Sequence, residues 1–215
     1  MKQQLKSQQS KQAILQAGLE LFSSQGYRAT TLKEIALSAG ISTGRVYHHF
    51  QNKLQIFTSL LDRYWAYLEE PELKLNQLSR AARFPDDFAD IAEAIREIVV
   101  EKKAYINLIY VDVIEFRGEH IQRFYRSMAE RFKRVYGSRF EVLAERGVLN
   151  EEADPFFAVM LTFRFFFHYF LVETSFGVED HFGFGSKEVI AKARQLVLHG
   201  LLKPKPAVSA DGQPP

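Results

Sequence analysis

Ser42, Thr43, Arg45, Tyr47, His48, His49 and Lys53 lie within one short stretch, GISTGRVYHHFQNK, and each carries a hydrogen-bond donor. Only Ile41, Val46 and Phe50 among them are clearly apolar. So dense a set of donors suits contact with phosphates and base edges better than catalysis. An enzyme needs a nucleophile with its base, or a metal site. The chain has no cysteine, no HExxH, no GxSxG and no glycine-rich phosphate loop. The paired carboxylates Glu69-Glu70 and Asp86-Asp87 are consecutive, so they diverge on a helix. The adjacent histidines diverge in the same way, by about 100°, whereas two metal ligands on one helix want a spacing of four. No metal and no cofactor is expected.

These donors need elements to aim them. Thr31-Leu32-Lys33-Glu34 has the form of a capping box and starts a short helix with Leu32, Ile35, Ala36 and Ala39 inward. Gly40 breaks that helix, and Ser42 is a good N-cap for the next, with Val46 and Phe50 inward. Helix, tight turn and helix of this size form a helix-turn-helix, whose second helix enters the DNA major groove. Roles follow. Thr31 and Lys33 can reach phosphate, and Ser42 and Thr43 approach bases or phosphate. Gly44 removes a side chain where DNA comes close. Arg45 can donate twice to a guanine, and Tyr47, His48 and His49 can touch phosphate or bases. Lys53 can fix the backbone as a point charge. Each also has an ordinary reading, Tyr47 as a core ring with a wet hydroxyl and Arg45 as a solvated charge. The case rests on the constellation.

Charge agrees. Residues 1–53 hold seven Lys/Arg against two acids, while the remaining 162 residues carry a net −3 within an overall +2. A basic end on a slightly acidic body fits a polyanionic partner. The absence of cysteine fits a reducing cytoplasm. The polar start MKQQLKSQQSKQ lacks the apolar core of a signal peptide, and Phe165–Val172, the richest apolar run, contains His168. No membrane association is expected.

Periodicity elsewhere is helical. Ile14, Leu15, Gly18, Leu19 and Phe22 share a face, and Gly26 ends that helix. Asn52 caps a helix bearing Leu54, Phe57, Leu61, Tyr64 and Leu68. Residues 71–87 are broken and polar, a join between two parts. Further helices are marked by Phe88–Ile98, by the apolar and therefore buried Tyr105–Phe116, and by Ile121–Leu143. Asp154-Pro155 opens an aromatic helix, the loop FGVEDHFGFG follows, and Ser186 caps the last helix. The expected fold is all-α. A helix-turn-helix domain spans 1–53 with a linking helix 53–70, a helical domain spans 71–202, and a disordered tail spans 203–215.

The run TTLKEIALSAGISTGRVYHHFQNKLQIF, with AGLELFSSQGYRATT at its front, resembles the DNA-binding signature of the TetR family of bacterial transcriptional regulators. The resemblance covers residues 11 to about 68, and its most specific part is the spacing A-G-I-S-x-G-x-x-Y-x-x-F-x-x-K. It implies an all-α homodimer of about nine helices on a palindromic double-stranded DNA operator. Three helices bind DNA, a fourth links, and the rest bind a small-molecule effector that releases a repressor. The last two helices, here 154–174 and 186–202, would form the dimer interface. By position, Thr31, Lys33, Thr43, Gly44, Arg45, Tyr47, His49 and Lys53 match places where the family contacts DNA. Arg45 stands where members vary, so the operator sequence is not implied.

Residues 70–215 resemble nothing specific. Ten of the 19 phenylalanines lie between Phe156 and Phe184, and Phe156, Phe163, Phe167 and Phe170 share a face. Such a helix suits a core, a dimer interface or an apolar pocket. Arg164 and His168 are one turn apart on it, and Asp112 and Glu115 sit in an apolar segment. A charge buried there needs a partner. These four, with Phe167, could form structural ion pairs or orient the polar end of an apolar or aromatic effector. Control by a protein partner is the alternative.

Overall fold

The computed structural model describes residues 2–204. Among them are ten α-helices and no β-strand beyond an isolated bridge between Leu149 and Leu202. The all-α expectation holds. Helices α1 (Lys2–Gln25), α2 (Leu32–Ser38), α3 (Thr43–His49) and α4 (Lys53–Leu68) form the N-terminal part. The body comprises α5 (Lys74–Ala81), α6 (Phe88–Glu101), α7 (Lys103–Phe116), α8 (Gln122–Glu145), α9 (Pro155–Leu171) and α10 (Ser186–Leu201). A π-helical turn, Val172–Phe176, continues α9. Of the expected tail, residues 205–215 lie outside the described residues. Lys203 is tied to the body, its N–H donating to the Val148 carbonyl at 2.9 Å.

The N-terminal core gathers the expected faces. Ile14, Leu15, Leu19 and Phe22 of α1 close on Ile35, Ala36, Val46 and Phe50. Gly18 lets α1 approach α4, since a Cβ there would come within 2.9 Å of Ile56 Cγ2. The buried face of α4 is wider than its 3-and-4 spacing suggests. Ile56, Phe57, Leu60, Leu61 and Tyr64 are buried, while Leu54 is exposed. The reason is that α4 packs against both α1 and α7. At the N-terminus, the segment bearing Lys6 and Lys11 is part of α1. Its Gln and Lys residues are good helix formers.

The body has a second core in which α6 and α9 lie side by side, with Phe88, Ile91, Ile95, Phe166 and Phe170 between them. Asp154 caps α9 as expected, accepting from the Phe156 and Phe157 amides, with Pro155 at the first helical position. Three expectations are corrected. Residues 71–87 contain a helix, α5, with no side-chain cap to announce it, and Phe84 in the following turn is fully buried. The segment Tyr105–Phe116 is only half-buried: Ile106, Leu108 and Asp112 face inward, and Tyr110, Val113 and Ile114 are exposed. The N-cap of α10 is Gly185, and Ser186 instead meets the Glu173 carboxylate at 3.4 Å. Separately, Pro155–Phe176 is long and apolar enough to cross a membrane by length and composition alone, which does not overturn the expectation of no membrane association. Its inner face packs on α6 and α8, and it carries Arg164 midway.

Candidate nucleic-acid interface and effector cavity

The α2–α3 unit is fixed by backbone hydrogen bonds that its own residues supply. Thr31 and Glu34 form the full capping box: the Thr31 hydroxyl accepts from the Glu34 amide, and the Glu34 carboxylate accepts from the Thr31 amide at 2.7 Å. The hydroxyl and amide of Thr31 hold the Glu34 carboxyl below its ordinary pKa. At the other end, the Ile41 N–H donates to Ala36 and the Gly40 N–H to Leu37, with Gly40 at φ +67°. That is a Schellman motif, which needs the left-handed residue glycine provides. Ser42 then caps α3, its hydroxyl accepting from the Arg45 amide at 3.3 Å.

This turn exposes one face of α3. Val46 and Phe50 anchor it in the core, while Ser42, Gly44, Arg45, Tyr47 and His48 are exposed and Thr43 and His49 are half-buried. Tyr47 is 57% exposed, which rejects the core-ring reading. A Cβ on Gly44 would meet nothing within 4 Å, so the space its missing side chain leaves is open on the exposed face. His49 Nε2 is buried without a partner. Burial first, then the nearby His48, Arg45 and Lys11, keep its pKa below the ordinary histidine value. Lys33 is exposed beside this face. Thr31 is exposed too, but its hydroxyl also donates to Glu34 at 2.7 Å.

Lys53 is placed differently from its expected role. Its ammonium donates to the carbonyls of Tyr27 and Thr30, both at 2.6 Å, and lies 4.2 Å from the centre of the Tyr27 ring. Burial lowers its pKa, while Glu115 and Glu34 pull the other way. It therefore ties the first turn of α4 to the α1–α2 corner. Its donors are spent within the fold.

Asp112 and Glu115 are also structural. The Glu115 carboxylate accepts the amides of Tyr27 and Arg28, each at 2.8 Å, so α7 grips the same corner. Asp112, fully buried, meets His120 Nδ1 at 2.5 Å and accepts the Ile121 amide at 3.1 Å. His120 in turn rests on Phe57 and Phe116. Both carboxylates stay outside the cavity of the body.

That cavity has a volume of about 490 Å³ and lies between α4, α5, α6, α7, α8 and α9. Arg164, Phe167 and His168 do line it. With them come side chains that sequence reasoning did not assign to a site, among them Trp65, Tyr110, Tyr125 and Arg131. The usable signal was the α8 stripe of Phe124, Met128, Phe132 and Val135, which lines the cavity rather than filling core. Burial pushes the Tyr136 hydroxyl at its wall up to about 12. On the outside of α9 and α10, Phe157 is 66% and Leu196 77% exposed; Leu161 lies one turn on from Phe157, and Arg164 and His168 continue that face of α9 to the cavity.

Residues 14–60 match the family described as bacterial regulatory proteins, tetR family. The HTH-type transcriptional regulator AcrR of Shigella flexneri is 32% identical over 122 residues, 53% of each chain, so the match spans about half that relative. NalD of Pseudomonas aeruginosa, whose structure is described as the secondary repressor of the MexAB-OprM multidrug efflux pump, superposes with a TM-score of 0.59. It has 21% identity and covers 93% of this chain and 100% of that one. The MbdR regulator of Azoarcus sp. CIB gives a TM-score of 0.61 at 22% identity, covering 90% of this chain and 100% of that one. At these identities the two structures share the fold.

Proposed function

We propose that this chain, by its N-terminal domain a member of the tetR family of bacterial regulatory proteins, is a sequence-specific DNA-binding transcriptional regulator. Its α3 lies in the major groove of an operator. The observation that carries the reading is the exposed donor face of α3, with Arg45 and Tyr47 outward and Gly44 leaving room for a close approach. Arg45 reads a base, Lys33, Thr43 and His48 hold phosphates, and His49 supports them from the edge. The chain acts in the cytoplasm as a repressor and as a homodimer. The dimer closes through α9 and α10, whose exposed Phe157, Leu161 and Leu196 need cover. A two-fold dimer then binds a palindrome whose half-sites lie about one helical turn apart, or somewhat more. A small apolar or aromatic effector in the cavity releases it. The grip of Glu115 on the α1–α2 corner gives the body a handle on the DNA-binding part.

Arg45→Ala tests the base-reading role. It should cost about 1–3 kcal/mol per half-site and relax sequence choice at one base pair. An unchanged preference in a binding selection removes Arg45 from that role.

A further inference from the structure

The cavity wall has a charge pattern that its apolar character conceals. Arg131 and Arg164 line it, together with His168, and no carboxylate does. Arg131 has an outside partner, the exposed Glu69, at 3.6 Å. Arg164, which also reaches solvent, has none among the described residues. Its guanidinium lies 4.9 Å from the centre of the Tyr125 ring, and its Nη1 reaches only the Met128 thioether at 3.7 Å. His168 stands one turn further along α9 on the same side and is exposed. Apart from Asn76 and Ser79, the rest of the wall is aromatic, aliphatic or the Met128 thioether.

Two classes of amphiphile could enter such a space. An organic cation could use the aromatic faces. Two of those faces are already taken, however, Tyr125 by Arg164 and Phe124 by Arg131, which lies 5.6 Å from its centre. A further cation would meet two fixed guanidinium charges. An anion would meet an unpaired guanidinium able to donate two parallel bonds, and its apolar body would displace water from aromatic walls. A neutral ligand would leave Arg164 without a charged partner.

We propose that the cavity binds an amphiphilic organic anion, with its carboxylate at Arg164 and His168 and its apolar body between Trp65, Phe124, Phe132 and Phe167. This names the ligand class for the effector site above and rests on that reading. The volume of about 490 Å³ suits a monocarboxylate with a medium-length chain or a small aromatic body.

Trp65, the single tryptophan of the chain, lines the cavity and stacks on Phe124 at 4.7 Å, so its emission reports occupancy. The full chain is titrated with decanoate, decanamide and decyltrimethylammonium below their micelle concentrations. Decanoate should change the emission saturably and bind at least about tenfold more tightly than either other probe. In Arg164→Gln, checked for an unchanged melting temperature, that advantage should fall below about threefold while decanamide affinity stays the same. Equal binding of decanoate and decanamide, or preference for the ammonium, overturns the anion assignment and leaves the cavity as an effector site. An advantage retained in R164Q overturns the role of Arg164. No saturable change with any probe overturns the anion assignment and the effector reading together.

Discussion

Replacing Lys53 with Met keeps a stem of similar shape out to Cε, with sulfur at the δ position, and removes the ammonium. The wild-type ammonium makes two 2.6 Å bonds, to the Tyr27 and Thr30 carbonyls, and Arg28 O lies at the 3.5 Å limit. A hydrogen bond to a charged group contributes about 1.5–3 kcal/mol when well buried. Lys53 is only half-buried, so water can reoccupy part of the site, and a net loss of about 2 kcal/mol is expected for the pair. With a urea slope of about 1–3 kcal/mol per molar, the unfolding midpoint should drop by roughly 1 M. A phosphate contact predicts something else. Losing one would lower the slope of log K against log salt by about 0.9 per half-site while leaving stability alone. The structure predicts a lower midpoint and an unchanged salt slope at temperatures where the variant stays folded. An unchanged midpoint with a shallower slope would refute the structural assignment and restore Lys53 to the DNA.

Three further outcomes follow from local geometry. Gly18→Ala should destabilise the N-terminal core by about 1–3 kcal/mol, because its Cβ would sit 2.9 Å from Ile56 Cγ2; a thermal melt equal to wild type would show that α1 and α4 can part freely. Glu115→Ala strips the acceptor from two backbone amides and should speed hydrogen exchange at Tyr27 and Arg28 well before global unfolding; unchanged protection there would mean α7 does not hold the corner. Asp87 is buried, and that burial raises its pKa above 3.8 against the pull of its own amide and Arg83. Above that value the folded state holds the proton more tightly than the unfolded chain, so wild-type stability falls as pH rises. Asp87→Asn should therefore gain about 1 kcal/mol at pH 7, with the gain shrinking as pH falls toward 3.8; a gain that is the same at both pH values would rule out this titration.

The parts legible in the sequence are those whose hydrogen bonds close within a few residues. Thr31 with Glu34, Gly40 after α2, Ser42 before α3 and Asp154 with Pro155 each state a helix boundary locally, and each stands where the pattern put it. The exposed face of α3 followed from them, because Val46 and Phe50 fix which side of α3 is free. What stayed hidden is tertiary. Nothing near Lys53 says that it will reach Tyr27, 26 residues back, and nothing near Glu115 names amides 87 and 88 residues away. An apolar run does not reveal how many sides are covered, so Tyr105–Phe116 read as buried although α7 leaves Ile114 exposed. Likewise the α8 stripe specified an apolar face without showing that a cavity, not a neighbour, lies opposite. Charge-bearing cavity residues were only partly legible: Arg164 and His168 stood out against an aromatic helix, whereas Arg131 is one of many charges on α8.

The most direct test of the DNA-binding account is a selection of bound duplexes from random DNA, using the purified full chain at moderate salt. Recovery of a single palindromic motif, with half-sites about one helical turn or somewhat more apart, is the predicted result. Recovery of no motif, with binding that simply fades as salt rises, would contradict it and leave α3 as part of a basic surface without sequence readout.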